Sequence, residues 1–593
     1  MKNKQRLTAL ALATLMGLSA VGCGNEQGET QVAQNPSESQ AQTSESTPAT
    51  EPVDELSWLN TSGSLPLVEE GTEKTLSMAI RMQDDSPNPD EVWAYKFIEE
   101  VMNIDLEVTK FTNANKSEFT SLTFADTDLP DVIIGADLST TDLIAYGANE
   151  GQIIDLAPYI NEELTPNLYQ IYQDNPEYLD AITDAEGHIW SLGRIADPAD
   201  RGSVPRAFFD YDALEALKVE VPTTLDDLLD VLRTAKANDA SSYPLGGSYS
   251  THNPGLYILN ALGYNTTDTN GMSIGLRNGK AVLPVADREA YGAYLTFMNT
   301  LYTEGLIHPD FYTMDGTTTK ALVAEGKNIF YSQAPFAVLS NFNAWWGAMP
   351  LTSEYNDTPM WPVGTTSVTA GGFVITSSCE EVELAMAFAD WIFGKTEVEG
   401  LYDDQYHYDL ITSGPAEFQK DYLLDVVSGY SEDPVTGANR LYLDYENNKD
   451  SYANKNDYLY KKVQLIPNNI IGAPKPTDHS LDPDITKYAN VADVRHSDEL
   501  KGVGELTFRM GLQETVCKYT VPGFPSNVYM DSATMEHANN LLIVVREYAA
   551  QESAKFVTGA RPLDELNAYF DEIEKLGALE YVKIYQDYYS SLQ

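Results

Sequence analysis

Hydrophobic and polar residues alternate from Thr75 to Arg81 (Thr-Leu-Ser-Met-Ala-Ile-Arg), the period of two that marks a strand. A loop carrying Asp84, Asp85, Pro87 and Pro89 follows, and from Asp90 to Met102 the pattern changes to a helical period with Trp93, Phe97 and Val101 on one face. Ile104 to Val108 reads as a second strand. Leu129-Pro-Asp-Val-Ile-Ile-Gly135 is nearly all apolar and ends on glycine, the pattern of a strand buried on both faces of a sheet with parallel neighbours. Strands and helices taking turns in this way predict an α/β lobe.

A second set of elements begins near Ala207. Pro222-Thr-Thr224 predicts the cap of a helix from Leu225 to Lys236, with Asp226 and Asp227 in its electropositive first turn. Ala290–Glu304 is an amphipathic helix stopped by Gly305. Lys327–Tyr331 and Gly371–Thr376 read as strands, and Ser378-Cys-Glu-Glu381 has the form of a capping box. The helix behind it sets Leu384, Phe388, Trp391 and Ile392 on one face. The last third is rich in helix, clearest over Asn539–Ala554 and Asp564–Tyr589. No internal repeat is evident.

The amino end differs from all of this. Lys2, Lys4 and Arg6 precede an apolar run from Leu7 to Leu18, too short to span a bilayer and flanked like a secretion signal. Small residues then lead to Cys23, which resembles a bacterial lipobox, although Ala20 stands where leucine is more usual. On that reading 1–22 is a signal peptide, the Cys23 thiol is lipidated, and the chain sits on the outer face of a membrane. An ordinary signal peptide with a chance cysteine is the alternative. Residues 23–55 hold almost no large apolar side chain and read as a flexible tether.

Length and charge narrow the class. The 593 residues suffice for two or more core-forming units, and a 43% hydrophobic content with 36 Tyr suits a packed globular body. A formal net charge of −52 repels nucleic acid and anionic lipid headgroups, so no nucleic-acid partner is expected. Cys379 and Cys517 are in no metal-ligand spacing and read as free thiols, with a disulfide between them the alternative.

The order of the pieces carries a resemblance. Leu129–Gly135 is followed by Gly151-Gln-Ile-Ile-Asp-Leu-Ala-Pro-Tyr159, by Asp184-Ala-Glu-Gly-His-Ile-Trp-Ser-Leu192 and by Pro222-Thr-Thr-Leu-Asp-Asp227. Glu304-Gly-Leu-Ile-His-Pro-Asp-Phe311, the Gly371 strand, Phe556-Val-Thr-Gly559 and Pro562-Leu-Asp-Glu565 come later. This series, behind a lipobox, resembles the family 1 extracellular solute-binding proteins, carbohydrate-binding lipoproteins of ABC importers. The resemblance implies an α/β, two-lobed, periplasmic-binding-protein-like (type II) fold with a hinge, a ligand cleft and a helix-rich C-terminal part. It implies lobe 1 at 56–205 with 365–415 and lobe 2 at 206–364 with 516–593, and leaves 416–515 as an unassigned insertion. It further implies a monomer that binds a carbohydrate, delivers it to the transmembrane subunits of an ABC permease, and meets the membrane only through its lipid.

A sugar site needs flat aromatic platforms and side chains that hydrogen-bond hydroxyls, on loops at strand ends. Carried over loop by loop, the resemblance implicates Gln83, Asp84 and Asp85 after the first strand, Asp137 after Ile134, and Trp190, Arg194 and Arg206 around the first crossover. From lobe 2 it implicates Tyr249, His252 and Asn253, then Gln333 and Phe336, with Tyr406 and Phe524 further on. Trp345 and Trp346 read either as platforms or as the inner face of a helix, and Trp361 precedes the second crossover. Trp93 and Trp391 read as core. Asp84 and Asp85 suit a helix cap equally well, and Arg194 and Arg206 suit ion pairs with the abundant carboxylates.

Signals for catalysis are weak, and no catalytic residue, cofactor or metal is expected. Gly271-Met-Ser273-Ile-Gly275 has the spelling of a nucleophile elbow, but the polar turn Asn265–Asn270 stands where that motif needs an apolar strand. Gly394-Lys395-Thr396 is half a P-loop at the wrong end of a helix. Ala237–Ser242, where some relatives hold calcium, offers too few ligands. A glycosidase using two of the 89 acidic residues, or a glycan adhesin, remains the rival reading. The ligand expected is an oligosaccharide, neutral rather than anionic because the chain is so acidic, with a peptide or other polar solute open.

Overall fold

The computed structural model describes residues 56–60, 65–200, 204–333, 344–365, 367–395, 407, 449–462, 471–472, 484–498, 500 and 510–593. Cys23, Phe336 and Tyr406 lie outside them. The strands, in chain order, are β1 (Thr75–Met82), β2 (Asp105–Thr112), β3 (Val132–Ile134), β4 (Leu192–Ile195), β5 (Phe208–Asp210), β6 (Gly275–Arg277), β7 (Lys280–Val282), β8 (Phe330–Tyr331), β9 (Trp345–Gly347), β10 (Trp361–Val363), β11 (Val368–Ile375) and β12 (Thr520–Pro522).

Lobe 1 is built on a mixed sheet of order β2-β1-β3-β11-β4. β1 runs parallel to β2 (Thr75 beside Asp105) and to β3 (Met78 beside Val132), as right-handed strand–helix–strand connections require. β11 enters antiparallel from the distant second crossover, with Phe373 beside Ile134 and Val368 beside Ile195. β3 is buried throughout because β1 and β11 flank it and helices cover it, which explains its all-apolar sequence. The register of β11 on β4 shifts between Thr369 and Phe373. Gly371 sits in this bulge at φ +79°, and a Cβ there would stand 2.0 Å from the Leu138 carbonyl oxygen. The loop after β3 is thereby drawn tightly onto β11, with Gly135 N donating to Gly372 O at 2.7 Å.

Helix Trp93–Met102 turns Ala94, Tyr95, Ile98 and Met102 inward. Trp93 and Phe97 stack on each other at the margin, 5.0 Å apart, so Trp93 is half-buried rather than core. Helix Val382–Phe393 is buried nearly all round, Trp391 included. Ser378–Glu381 does not cap it: Glu381 makes no side-chain cap and pairs instead with Lys74, while Ser378 Oγ accepts from Leu129 N. Asp390, on this helix, accepts from Leu168 N and Asn167 Nδ2, both at 2.8 Å. It therefore serves as the missing cap of helix Pro166–Asp174, whose own N-cap Thr165 makes none.

Lobe 2 surrounds a small antiparallel sheet of order β8-β5-β9, with Phe208 beside Tyr331 and Phe209 beside Trp346. Helices Leu225–Asn238, Ala290–Thr303 and Ser532–Val557 enclose its core. The expected cap of the first is a full capping box: Thr224 Oγ1 accepts from Asp227 N at 3.0 Å, and Asp227 Oδ2 accepts from Thr224 N at 3.0 Å. The stretch read as one helix over 564–589 is two, Leu566–Lys575 and Ala578–Ser591.

The lobes are joined where β4 leads to β5 and where β10 leads to β11, and β10 is braced by parallel β12. Helix Ser532–Val557 reaches both bodies. Met535 near its start packs in the lobe 1 core, while Ala538 to Val557 supply the lobe 2 core. The region 416–515 also meets both bodies through its described parts. Tyr460 and Ile471 lie in the lobe 1 core, and Ile195 N donates to Gly472 O at 3.0 Å. Val494, Leu500 and Met510 cover Trp346 of β9, and the buried Arg495 guanidinium donates to Asp212, Glu215 and the Ala344 carbonyl. Among the described residues no helix is long and apolar enough to cross a membrane.

Candidate ligand-binding site

A pocket of about 400 Å³ opens beside both crossovers on lobe 2. The 204–207 stretch forms one wall, and the indole Nε1 of Trp361 donates to Pro205 O at 3.0 Å, fastening the second crossover to the first. Trp361 is 1% exposed, so it lends the pocket only an edge. Arg206 reaches across, donating from Nη1 to Gln333 Oε1 at 2.6 Å.

The opposite wall is the loop from Gly247 to Asn253. Gly247 has φ +116°, and a Cβ there would meet the His252 carbonyl oxygen at 2.1 Å, so only glycine allows the loop to close this tightly. His252 itself holds φ +55°, an uncommon conformation for a side-chain-bearing residue and a frequent one at functional sites. Asn253 is 7% exposed and ties the loop down three ways. Its Nδ2 donates to Tyr249 O at 3.0 Å and to Asn270 Oδ1 at 2.7 Å, and its Oδ1 accepts from Gly255 N at 2.8 Å. His252 Nδ1 lies 2.8 Å from the Tyr331 hydroxyl and 3.3 Å from Thr319 Oγ1. Burial, with the Lys320 ammonium adding to it, holds the imidazole below its ordinary pKa and so neutral at pH 7. Tyr249 lies half-buried with its ring 5.1 Å from that of Tyr312.

Six residues expected from the sequence thus meet in one pocket: Arg206, Tyr249, His252, Asn253, Gln333 and Trp361. Thr269, Asn270 and Tyr257 also line it and were not expected. The polar turn Asn265–Asn270 was the sequence signal for Thr269 and Asn270, read only as an argument against Ser273. Ser273 in fact accepts from Arg546 Nη2 at 2.9 Å and precedes strand β6 instead of following a strand.

The other expected residues lie elsewhere. Trp190 is in the lobe 1 core, its Nε1 donating to Asp184 Oδ2 at 2.8 Å and its ring pressed on Gly147, where no side chain would fit. Trp345 and Trp346 are neither platforms nor a helix face; they alternate on β9, one into the lobe 2 core and one under Val494, Leu500 and Met510. Phe524 is buried against Tyr585 and Tyr589. Each large ring was drawn into a core because burial of its apolar area outweighs exposure at a cleft. Gln83, Asp84, Asp85, Asp137 and Arg194 belong to lobe 1, apart from this pocket. Gln83 N donates to the Tyr460 hydroxyl, Asp84 accepts from Ala114 N, and the Asp85 carbonyl accepts from Asn454. Asp137 pairs with Arg81 and Lys116, and Arg194 lies half-buried on β4 beside Thr369.

A larger groove of about 910 Å³ runs between 177–185 and the last helix. No expected site residue lines it, and its walls carry Glu177, Asp180, Asp184, Asp531 and Asp587. Its walls come chiefly from 177–185 and the C-terminal part of the chain, with only Thr365 from a strand-end loop, which makes it the weaker candidate for the ligand. Asp212, Glu215 and His496 converge on the surface, but Arg495 already supplies their positive charge. Asp239, in the stretch where calcium was considered, is engaged by Ser241 and Lys327. Cys379 and Cys517 form no disulfide with each other and belong to different cores.

Two α/β lobes, two strand crossovers and a polar, aromatic-edged pocket beside them define the two-lobed fold that solved solute-binding proteins share. Residues 117–399 match the bacterial extracellular solute-binding protein family. The fructooligosaccharide ABC transporter substrate-binding protein FusA of Streptococcus pneumoniae is 28% identical over 262 residues, covering 42% of this chain and 47% of that protein. Lipoprotein LipO of Bacillus subtilis is 24% identical over 267 residues, 43% of this chain and 49% of its own. The chain thus spans about half the length of the curated relatives it matches. The structure of S. pneumoniae FusA in complex with kestose superposes with a TM-score of 0.63 at 21% identity, covering 88% of this chain and 99% of the other. An HMO-binding, ABC-transporter-associated solute-binding protein from Bifidobacterium longum infantis gives 0.63 at 16% identity, over 87% and 98%. At these identities the likeness is one of fold.

Proposed function

We propose that this chain is the substrate-binding lipoprotein of an ABC transporter. It captures an oligosaccharide between its lobes and presents the closed form to the transmembrane subunits of the permease, as a monomer and without catalysing a reaction. Acyl chains on Cys23 hold it at the extracytoplasmic face of the membrane, and 24–55 is its tether. Lobe 1 comprises 56–205 with 365–415, and lobe 2 comprises 206–364 with 516–593.

The pocket beside the crossovers carries this reading. Amides, hydroxyls, a guanidinium and aromatic edges in one concave wall are what a polyhydroxylated ring requires. Their position next to the hinge means that rotation of lobe 1 would enclose whatever they hold. The naming of FusA and LipO as a sugar-binding transporter component and a lipoprotein supports both halves of the reading.

The test is a thermal-shift screen of the mature chain against oligosaccharides, peptides and other polar solutes, followed by solution scattering with the best ligand. A saccharide that raises the melting temperature, is recovered unchanged, and shrinks the radius of gyration is the expected outcome. Smaller products would identify a glycosidase, and stabilisation by peptides alone would refute the sugar assignment.

A further inference from the structure

The 910 Å³ groove differs from the sugar pocket in place and in chemistry. One wall is Glu177–Ala185 of lobe 1, the other is the last helix from Ile584 to Leu592, and the segment 525–531 supplies most of the rest. Asn527 Nδ2 fastens that segment to lobe 1, donating to Ala181 O at 2.7 Å and to Val368 O at 3.1 Å. Glu177, Asp180, Asp531 and Asp587 stand exposed along the groove, and no Lys, Arg or His is among the described residues lining it. Asp587 pairs with Lys583 one turn back on the same exposed helix face, a kind of pair that contributes little and exchanges readily.

Acidic walls alone would be ordinary solvated surface. The second observation is Tyr529. It lines the groove, is only 9% exposed, and its hydroxyl has no hydrogen-bond partner among the described residues. Buried hydroxyls are nearly always bonded. Burial, with the groove residues Asp184 and Tyr588 adding to it, holds this phenol well above its ordinary pKa, so the proton stays on and the oxygen offers its lone pairs to a donor. Asp184 cannot answer it with a proton, being a carboxylate that already accepts from Trp190 Nε1 and from the backbone N–H groups of Glu186 and His188.

The missing partner is thus a cation that donates hydrogen bonds. A bare metal ion does not suit, because among the described residues the groove carboxylates do not converge within 4.8 Å as ligands must. A basic peptide suits poorly, because its backbone amides would lie against Met530, Ile584 and Leu592, which offer them no side-chain partner. Ammonium groups strung on methylene chains meet both demands, and the volume is that of a small-molecule site. We infer that this groove is a second binding site, separate from the sugar pocket, for a linear aliphatic polyamine whose ammonium groups meet the carboxylates of both walls while one N–H donates to the Tyr529 hydroxyl. This does not depend on the carbohydrate reading.

The experiment is calorimetric titration of the mature chain with spermine, and with trilysine and MgCl2 as comparison cations. Spermine is expected to bind at one equivalent, more tightly than either. Exposed pairs being weak singly, the triple variant Glu177→Gln, Asp180→Asn, Asp587→Asn is expected to lose at least about tenfold in affinity. A control with the same charge removed elsewhere on the surface, Glu220→Gln, Glu325→Gln, Asp357→Asn, is expected to change it less than about twofold, since distant exposed charges are screened. Tyr529→Phe weakens spermine severalfold without lowering the melting temperature. Equal losses in the two triple variants would reduce the binding to general attraction of counter-ions and overturn the inference. Trilysine or magnesium binding as tightly as spermine would overturn it as well. So would Tyr529→Phe raising the melting temperature with affinity unchanged, the outcome for a hydroxyl that is merely buried and unpaired.

Discussion

Asn253→Ala tests whether the pocket wall is held as described. The wild-type amide makes three hydrogen bonds, at 2.7, 2.8 and 3.0 Å, and is almost wholly buried. Truncation orphans Gly255 N at the start of the buried helix Gly255–Ala261, together with Tyr249 O and Asn270 Oδ1. A buried hydrogen bond contributes about 1 kcal/mol net, and an orphaned buried donor or acceptor costs about 1–3. Water from the pocket can reach Tyr249 O and Asn270, which line it or adjoin it, but Gly255 N is enclosed. The sum is about 2–4 kcal/mol lost from this loop. The His252 backbone also loses the neighbour that keeps it in its strained conformation, so the binding-competent loop becomes a minority form and apparent affinity falls by the same fraction. Calorimetry on the variant is expected to show at least a tenfold weaker Kd, and thermal melting a lower midpoint that saturating ligand recovers in part. Binding and melting unchanged from wild type would refute the reasoning.

Two further perturbations address the frame around the pocket. Burial raises the Asp390 carboxyl from 3.8 to about 6, against the pull of the Leu168 and Asn167 hydrogen bonds. Because the folded value is the higher one, the protonated side chain contributes about 3 kcal/mol below pH 3.8, and this is lost as pH rises through 6. Asp390→Asn cannot titrate and still accepts from Leu168 N, so wild type should lose about 2 kcal/mol relative to it between pH 4.5 and 7.5 in paired urea melts; a gap independent of pH would count against the assignment. Gly371→Ala would force an alanine to φ +79° with its Cβ 2.0 Å from Leu138 O. Left-handed backbone costs about 1 kcal/mol for alanine and the clash must part β11 from the loop after β3, so a loss of roughly 3 kcal/mol is expected by denaturant melting; a shift within 0.5 would show that the bulge relaxes freely.

Periodic, locally determined elements were legible. β1, β3 and helix Leu225–Asn238 declared themselves because their burial follows their own alternation or their own cap, and the Thr224–Asp227 box formed as written. Elements set by distant partners were not. Ser378-Cys-Glu-Glu381 spells a cap, yet Lys74 takes Glu381, and the real cap of helix Pro166–Asp174 comes from Asp390, 222 positions away from Leu168. Trp93 carried the apolar face of its helix in the sequence pattern, but the lobe 1 core took the face of Ala94, Tyr95, Ile98 and Met102 and left Trp93 at the margin. Trp345-Trp346 gave no period at all. Two residues are too few to distinguish strand from helix, and the strand assignment depends on Phe209 lying opposite.

The pocket divides in the same way, and the division has a cause. Arg206, Tyr249, His252, Asn253 and Gln333 share the pocket because they are polar and sit on loops at strand ends, where the fold class itself puts ligands. Trp190, Trp345, Trp346 and Phe524 were misjudged because a large ring is suited to a platform and to a core alike, and only the packing decides between them. Net charge is a different kind of quantity. It is a sum over the whole surface, whereas a bound group responds to the few charges within a screening length, and those are chosen by which loops the topology brings together. Arg206 and Gln333 are separated by 127 positions and meet only because β5 and β8 are neighbours in the sheet. The sign of a site is therefore a property of strand order, and composition cannot carry it.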